Sequence, residues 1–361
     1  MTKRKKRTRH SKISRKRAPR KGSAAEKDSS ARDQFHGLTF LRQEDFYARL
    51  PEATVLEALR EAFSALASGT VVQPPQASGM TAGQVDVIWY TGIFGTHNLF
   101  GTKLSPYLMQ RKDGPKVTAW TLLCSTETGE PVLLCDSLAL TTERTAATTA
   151  LAVQLLKPAK AQRLAVFGLG AVGRAHLRYA AEISEWSEVN VFSRHAHRDA
   201  SILQKIPASL RRKTKIAKSA QIAVENSDVI LLCTSSITPV IEHRWLNPSQ
   251  LVTSLTTTST SACEIAPEAL PDLDVYCDYR VTTPSVAGEM TAAVKNYGWS
   301  PDKILGDLPE LVSGKCRKPA GNHPIFFRSV GLGIEDIAIA SALLRRRKKF
   351  SKAASSGGQK S

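Results

Sequence analysis

The chain has 361 residues, 42% of them hydrophobic, with 50 Lys and Arg against 32 Asp and Glu and a formal charge of +18. That length and composition suit two domains with a real core. They exclude a membrane span, because no run approaches ~18 uncharged apolar residues, and a secretory leader, because the basic start runs on into polar residues; a cytoplasmic protein is expected.

The charge belongs to the ends. Residues 1–22 hold twelve Lys or Arg and residues 345–361 seven, with no acid in either, which leaves 31 basic against 32 acidic residues in the body. Segments 1–36 and 346–361 are expected to be disordered basic tails, too poor in apolar residues to form a core. No aromatic residue interleaves the first 22 positions to stack on bases, so the tails read as solvated ends. Contact with nucleic acid or an anionic surface is the alternative. The six cysteines (Cys124, Cys135, Cys233, Cys263, Cys277, Cys316) contain no C-x-x-C pair and adjoin no His cluster, which predicts reduced thiols and no metal site.

After a small polar linker at 23–35, apolar spacing predicts a helix over Pro51–Leu66, with Val55, Leu56, Leu59, Ala62, Phe63 and Leu66 on its buried face. Pro74 and Pro75 make Val71–Met80 extended or looped. Val85–Tyr90 alternates like a strand, and Lys116–Cys124 with Pro131–Leu134 reads as a hairpin around Ser125–Glu130. Thr141–Leu156 is predicted helical, with Thr141 or Thr142 as N-cap. From Leu164 the texture becomes strand–helix alternation. Apolar runs at Leu164–Phe167, Val189–Phe192, Ile216–Ala217, Val229–Cys233, Leu251–Leu255 and Asp274–Asp278 argue for a parallel sheet covered on both faces. Two helical stretches and a loop at Gly321–Pro324 complete Ile304–Leu344.

The first of these strands leads into Gly168-Leu169-Gly170-Ala171-Val172-Gly173 and then a helix through Ala181, the setting in which G-x-G-x-x-G binds a dinucleotide. Gly168 permits the tight turn, Gly170 the approach of the pyrophosphate, and Gly173 close packing of helix on strand. Ala171 and Val172 open the helix whose N-terminus faces the phosphates. The second strand ends in Ser193-Arg194, with Arg198 nearby, where an NAD site usually carries an acid. A hydroxyl and arginines suit a 2′-phosphate, so NADP(H) is favoured over NAD(H).

Several segments resemble the ornithine cyclodeaminase/μ-crystallin family. They are Gly101-Thr102-Lys103, Leu140–Ala147 (LTTERTAA), Ser227–Ile230, Thr234-Ser235-Ser236 with Pro239-Val240, and Ser329-Val330-Gly331 with Glu335-Asp336, in family order across residues 50–345. The resemblance implies an α/β fold: a Rossmann-type doubly wound parallel sheet at 156–299, and an α+β substrate and dimerisation domain from 37–155 and 300–345, working as a homodimer. It implies that Lys103 and Arg144 hold a substrate carboxylate, that Thr145 lies near the cofactor phosphates, and that Thr234, Ser235, Ser236, Ser329 and Gly331 border the cofactor. Gln76 stands where the family often has an arginine. Where cyclodeaminases carry a catalytic aspartate, six residues before Glu264, this chain has Thr258, and no carboxylate lies between Leu251 and Cys263.

Threonine is no base near neutral pH, and cyclodeamination needs one. Hydride reduction of a preformed cyclic imine does not. The resemblance therefore points to the ketimine reductase type, reducing Δ1-pyrroline-2-carboxylate to L-proline or the six-membered homologue to L-pipecolate. Lys103 is the expected proton source and Thr258 the group that orients it. The rivals are an ornithine cyclodeaminase, an alanine- or opine-type dehydrogenase, and an NADPH-dependent binding protein without turnover.

Overall fold

The computed structural model describes residues 37–357, leaving out 48–49, 81–85, 109, 195–200 and 257–261. The N-terminal tail expected at 1–36 lies outside the described residues. Within 39–361 two sheets share one body.

The first sheet is mixed. Its strands are β1 (Thr39–Leu41), β2 (Val71–Val72), β3 (Ala77–Met80), β4 (Asp86–Phe94), β5 (Leu99–Tyr107), β6 (Trp120–Ser125) and β7 (Pro131–Asp136), in the order β1-β7-β6-β5-β4-β2 with β3 also on β4. All neighbours are antiparallel except β1 on β7. Helices α1 (Gln43–Tyr47), α2 (Glu52–Ala67) and α3 (Leu138–Leu156) accompany it. The buried residues of α2 (Val55, Ala58, Leu59, Ala62, Phe63) fall on one face, as their spacing predicts. Helix α3 begins earlier than expected: its N-cap is Ser137, not Thr141 or Thr142. Thr142 and Thr145 instead donate their hydroxyls back to Leu138 and Thr141 carbonyls inside the helix.

The second sheet is parallel throughout. Its strands are β8 (Arg163–Phe167), β9 (Glu188–Phe192), β10 (Thr214–Ile216), β11 (Val229–Leu232), β12 (Leu251–Ser254), β13 (Asp274–Cys277), β14 (Gly306–Asp307) and β15 (Ile325–Arg328), ordered β10-β9-β8-β11-β12-β15-β13-β14. β8, β11, β12 and β15 are buried almost end to end, which is why none of them alternates and β8 and β11 read as near-continuous apolar runs. Helices α4 (Ala171–Ile183), α5 (Ala208–Arg211), α6 (Ala220–Glu225), α7 (Gly288–Asn296) and α8 (Leu308–Val312) follow, and α9 (Gly333–Gly357) closes the chain. The chain has an α/β fold with a Rossmann-type order at its core. Among the described residues no helix is long and apolar enough to cross a membrane.

Two boundaries differ from expectation. β15 lies inside the parallel sheet, between β12 and β13, so residues 325–328, expected in the substrate domain, belong to the Rossmann sheet. The sequence runs IFFR, too short to tell a strand from a loop edge without its partners. The basic tail expected from residue 346 starts inside α9, whose backbone stays helical to Gly357.

α9 returns from the parallel sheet to the mixed one and packs on α2, β4 and β5. It comes so close at Gly92 that a Cβ there would lie 3.1 Å from both Ile334 Cγ2 and Ile337 Cδ1. The crossing places the first turn of α9 between the two sheets. Gln73 fixes it from the mixed side, its Oε1 accepting from Ile334 N at 3.0 Å.

Candidate active site

Lys103 lies midway along β5, facing Tyr90 of β4 in register, with Ser105 and Tyr107 on the same face. Its ammonium is 1% exposed. It sits 3.0 Å from Asp336 Oδ2 and 4.1 Å from the centre of the Tyr90 ring, which favours a cation over its face. Arg144 reaches the same place from α3. Its Nη1 donates to Glu335 Oε2 at 3.1 Å, its Nε is 3.5 Å from Asp336 Oδ1, and its Cζ is 5.8 Å from the Tyr90 ring centre. Gly331, at φ +83°, presses on the guanidinium, and any Cβ there would collide with it.

Burying four charges is costly unless they pair, and they do. Burial and the neighbouring Arg144 pull Lys103 down to about 8, against Asp336. Burial pushes Glu335 up to about 8, although Arg144 opposes it. Burial would lower Arg144 as well, but Asp336 and Glu335 hold it above its ordinary value. Burial thus favours the neutral form of Glu335 and the Arg144 pair its charged form, and the two cations and two acids meet at one point of the cleft wall. Arg144 Nε and Thr141 Oγ1 are buried without a hydrogen-bond partner, and both residues line a cleft of about 620 Å³ that is open to solvent. Lys103, Tyr90 and Tyr107 line it from the mixed sheet, and Val172, Leu255 and Ser329 from the parallel one.

The far wall of the cleft is the C-terminal edge of the parallel sheet. Gly168 adopts φ +88°, and a Cβ on it would stand 2.5 Å from the Cys233 carbonyl; beside Gly170 there is open space. No side chain caps α4, so its N-terminal amides, at Ala171, Val172 and Gly173, are left for an anion. This cradle fits the pyrophosphate of a dinucleotide. Ser193 is half-buried and Arg194 exposed at the end of β9, while Arg198 lies outside the described residues. Thr145 borders the cleft with its hydroxyl proton spent on Thr141 O at 2.7 Å.

Thr258 also lies outside the described residues, but the groups that frame its loop are clear. Glu264 Oε1 accepts from Thr234 N at 2.8 Å and Thr234 Oγ1 at 2.7 Å. Its Oε2 accepts from Ser254 Oγ, Leu255 N and Thr256 N at 2.9, 3.1 and 3.3 Å. Arg328, paired with Glu289, donates to Thr256 O at 2.6 Å. Asp278 does the same for the neighbouring loop, its Oδ2 accepting from Ser329 Oγ, Val330 N and Gly331 N at 3.1, 2.7 and 2.8 Å.

The structure thus brings Lys103, Arg144, Thr145, Val172, Ser329 and Gly331 together, and ranges Gly168, Gly170, Gly173, Thr234, Ser235 and Ser236 along the adjoining edge. Gln76 is half-buried on the strand-leading segment before β3 and is not among the cleft's lining residues. Sequence reasoning missed Tyr90, Glu264 and Asp278 as parts of the site. The last two had a legible signal, an acid within or just after an apolar run, where burial demands partners. Tyr90 had none apart from its place in the β4 register.

A family model described as the ornithine cyclodeaminase/mu-crystallin family matches residues 39–349. The NAD(P)H-dependent anabolic L-arginine dehydrogenase DauB of Pseudomonas aeruginosa is 48% identical over 299 residues, covering 82% of this chain and 94% of that one. The ketimine reductase mu-crystallin of Macropus fuliginosus is 25% identical, covering 84% and 96%. Among solved structures, the Δ1-pyrroline-2-carboxylate reductase of Thermococcus litoralis, in complex with NADH and L-proline, superposes with a TM-score of 0.80 at 20% identity, covering 86% of this chain and 98% of that one.

Proposed function

Because the chain belongs to the ornithine cyclodeaminase/mu-crystallin family, we propose that it is an oxidoreductase that reduces a 2-imino acid to an L-amino acid with NAD(P)H. The substrate we favour is open-chained and carries a basic side chain, as in the arginine dehydrogenase relative. The observation that carries the reading is the buried pair Lys103 and Arg144, opening on a cleft whose other wall is the glycine-loop edge.

The reaction consumes the imine, one hydride and one proton, and yields the amine. Gly168–Gly173, with Ser193 and Arg194, would hold the dinucleotide, which when bound would supply the hydride. Lys103 and Arg144 hold the carboxylate and so fix the imine carbon toward that wall. Lys103, with a pKa of about 8, is the group placed to put a proton on the substrate nitrogen, and Asp336 keeps its Nζ oriented. The buried Tyr90 ring lies near both cations. Nothing in this scheme requires a carboxylate base in the loop before Glu264, which agrees with the absence of one in the sequence from Leu251 to Cys263.

Reduction of a cyclic imino acid is the second reading, supported by the ketimine reductase relative. Ser193 and Arg194 support NADP(H) over NAD(H). A homodimer is proposed on the outer face of the mixed sheet. There Trp89, Leu104 and Trp120 form one cross-strand row, Ile93 and Phe100 another, and Leu122 lies between them, all at least 36% exposed. An apolar face of that extent on a monomer marks an interface. Cytoplasmic residence goes with the same reading.

NAD(P)H oxidation decides among these. The expected result is fast turnover with 2-oxo-5-guanidinopentanoate plus ammonium, slower turnover with Δ1-pyrroline-2-carboxylate, and a rate that falls as pH rises through about 8. Turnover of the cyclic imine alone would select the second reading. No turnover with either substrate would sink both.

A further inference from the structure

The carboxylate clamp leaves open how the other end of the substrate is recognised, and the register of β4 and β5 answers it. Along β4 the inward positions are Asp86, Ile88, Tyr90, Gly92 and Phe94. Their cross-strand partners on β5 are Tyr107, Ser105, Lys103, Gly101 and Leu99. Tyr90, Lys103, Ser105 and Tyr107 all line the cleft. Asp86, half-buried, is not itself a lining residue; it stands directly across from Tyr107, on the same face. Among the described residues it is the only carboxylate at an inward position of β4 to β7; Asp136, at the end of β7, pairs with outward-facing Trp120. It takes part in no ion pair among the described residues. The other acids near the cleft, Glu335 and Asp336, are already engaged by Arg144 and Lys103.

Four residues of antiparallel strand separate Asp86 from Tyr90, about 13 Å. Asp86 and the Tyr90–Lys103 pair therefore mark two points on one inward strand face. That spacing suits an extended amino acid whose carboxylate lies on the clamp and whose terminal cation meets Asp86. A five- or six-membered ring is too short to touch both ends.

We infer that Asp86 is the specificity residue for the distal cation of the substrate, selecting 2-imino acids that end in a guanidinium or ammonium group. This rests on the open-chain reading above and adds to it the residue that chooses the side chain. A carboxylate on a guanidinium forms a charge-assisted pair, and its loss is felt only by substrates that carry the charge.

The test compares kcat/KM of the full-length protein and its Asp86→Asn and Asp86→Arg variants on two substrates, each with ammonium and NADPH: 2-oxo-5-guanidinopentanoate and the uncharged 2-oxohexanoate. Dinucleotide binding, read by NADPH fluorescence, reports whether each variant is folded. Asp86→Asn is expected to lose roughly 10- to 100-fold on the guanidino substrate with the uncharged one unchanged. Asp86→Arg should lose more and gain activity with 2-oxoglutarate. Equal losses on both substrates, or no loss on the guanidino substrate by a variant that binds NADPH, would overturn the assignment to Asp86 alone. No turnover of the guanidino substrate by the parent protein would overturn this assignment and the open-chain reading together.

Discussion

Two groups of buried acids meet at the cleft, and they are used differently. Glu335 and Asp336, at the start of α9, face the cations Lys103 and Arg144. Glu264 and Asp278, at the edge of the parallel sheet, face backbone amides and hydroxyls. The first pair leaves hydrogen-bonding capacity unfilled: Glu335 Oε1 has no hydrogen-bond partner, and among the described residues the Asp336 oxygens meet only the two cations. The second pair fills it, with five donors on Glu264 alone. Satisfied carboxylates fix loops. Incompletely satisfied ones hold cations that still have work to do on a ligand. The contrast separates residues that shape the site from residues that act in it, although both are equally hidden from solvent.

Substitution can break this contrast. The largest effect is expected at the clamp: Lys103→Met should lower kcat/KM by roughly 10³-fold, the scale of a lost charged contact at the reacting group, while NADPH still binds. Loss of NADPH binding in parallel would place Lys103 with the shaping residues. Glu264→Gln should behave oppositely, lowering unfolding stability by about 2–3 kcal/mol in urea titration, with kcat/KM changed far less than by the clamp variant. The amide presents an N–H where a lone pair is needed. The smallest change is expected at the rim of the cofactor cradle, where Arg194→Ala should shift the NADPH-to-NADH preference by about tenfold. It should leave both kcat with saturating NADH and stability intact, and an unchanged preference would remove Arg194 from the nucleotide site.

The same contrast explains what could be read in the chain and what could not. The glycine loop was legible because Gly168, Gly170 and Gly173 each answer a local steric demand, visible in one turn of sequence. The central parallel strands were legible because burial on both faces leaves short apolar runs, as in Leu164–Phe167 and Val229–Leu232. Lys103 and Arg144 emerged only through the family resemblance. By composition each is an ordinary charge, and what makes it a clamp is an acid more than 190 residues away on α9. β15 was missed for the same reason, since four residues become a central strand only between β12 and β13. Asp86 belongs to this class too, because its meaning lies in what sits opposite it.

The placement of β15 and α9 has a consequence for how the chain is made. The strand that completes the middle of the parallel sheet, and the helix turn that carries both partners of the clamp, come from residues 325–336. As the chain leaves the ribosome, β12 waits about seventy residues and β13 about fifty for the strand between them. Lys103 and Arg144 wait far longer for their counter-ions. Such long-range closure is slow, and a nascent chain stopped before Ile325 would keep two cations buried without partners, a state that favours staying open. Closure of the parallel sheet and of the clamp therefore cannot precede the synthesis of residues 325–336.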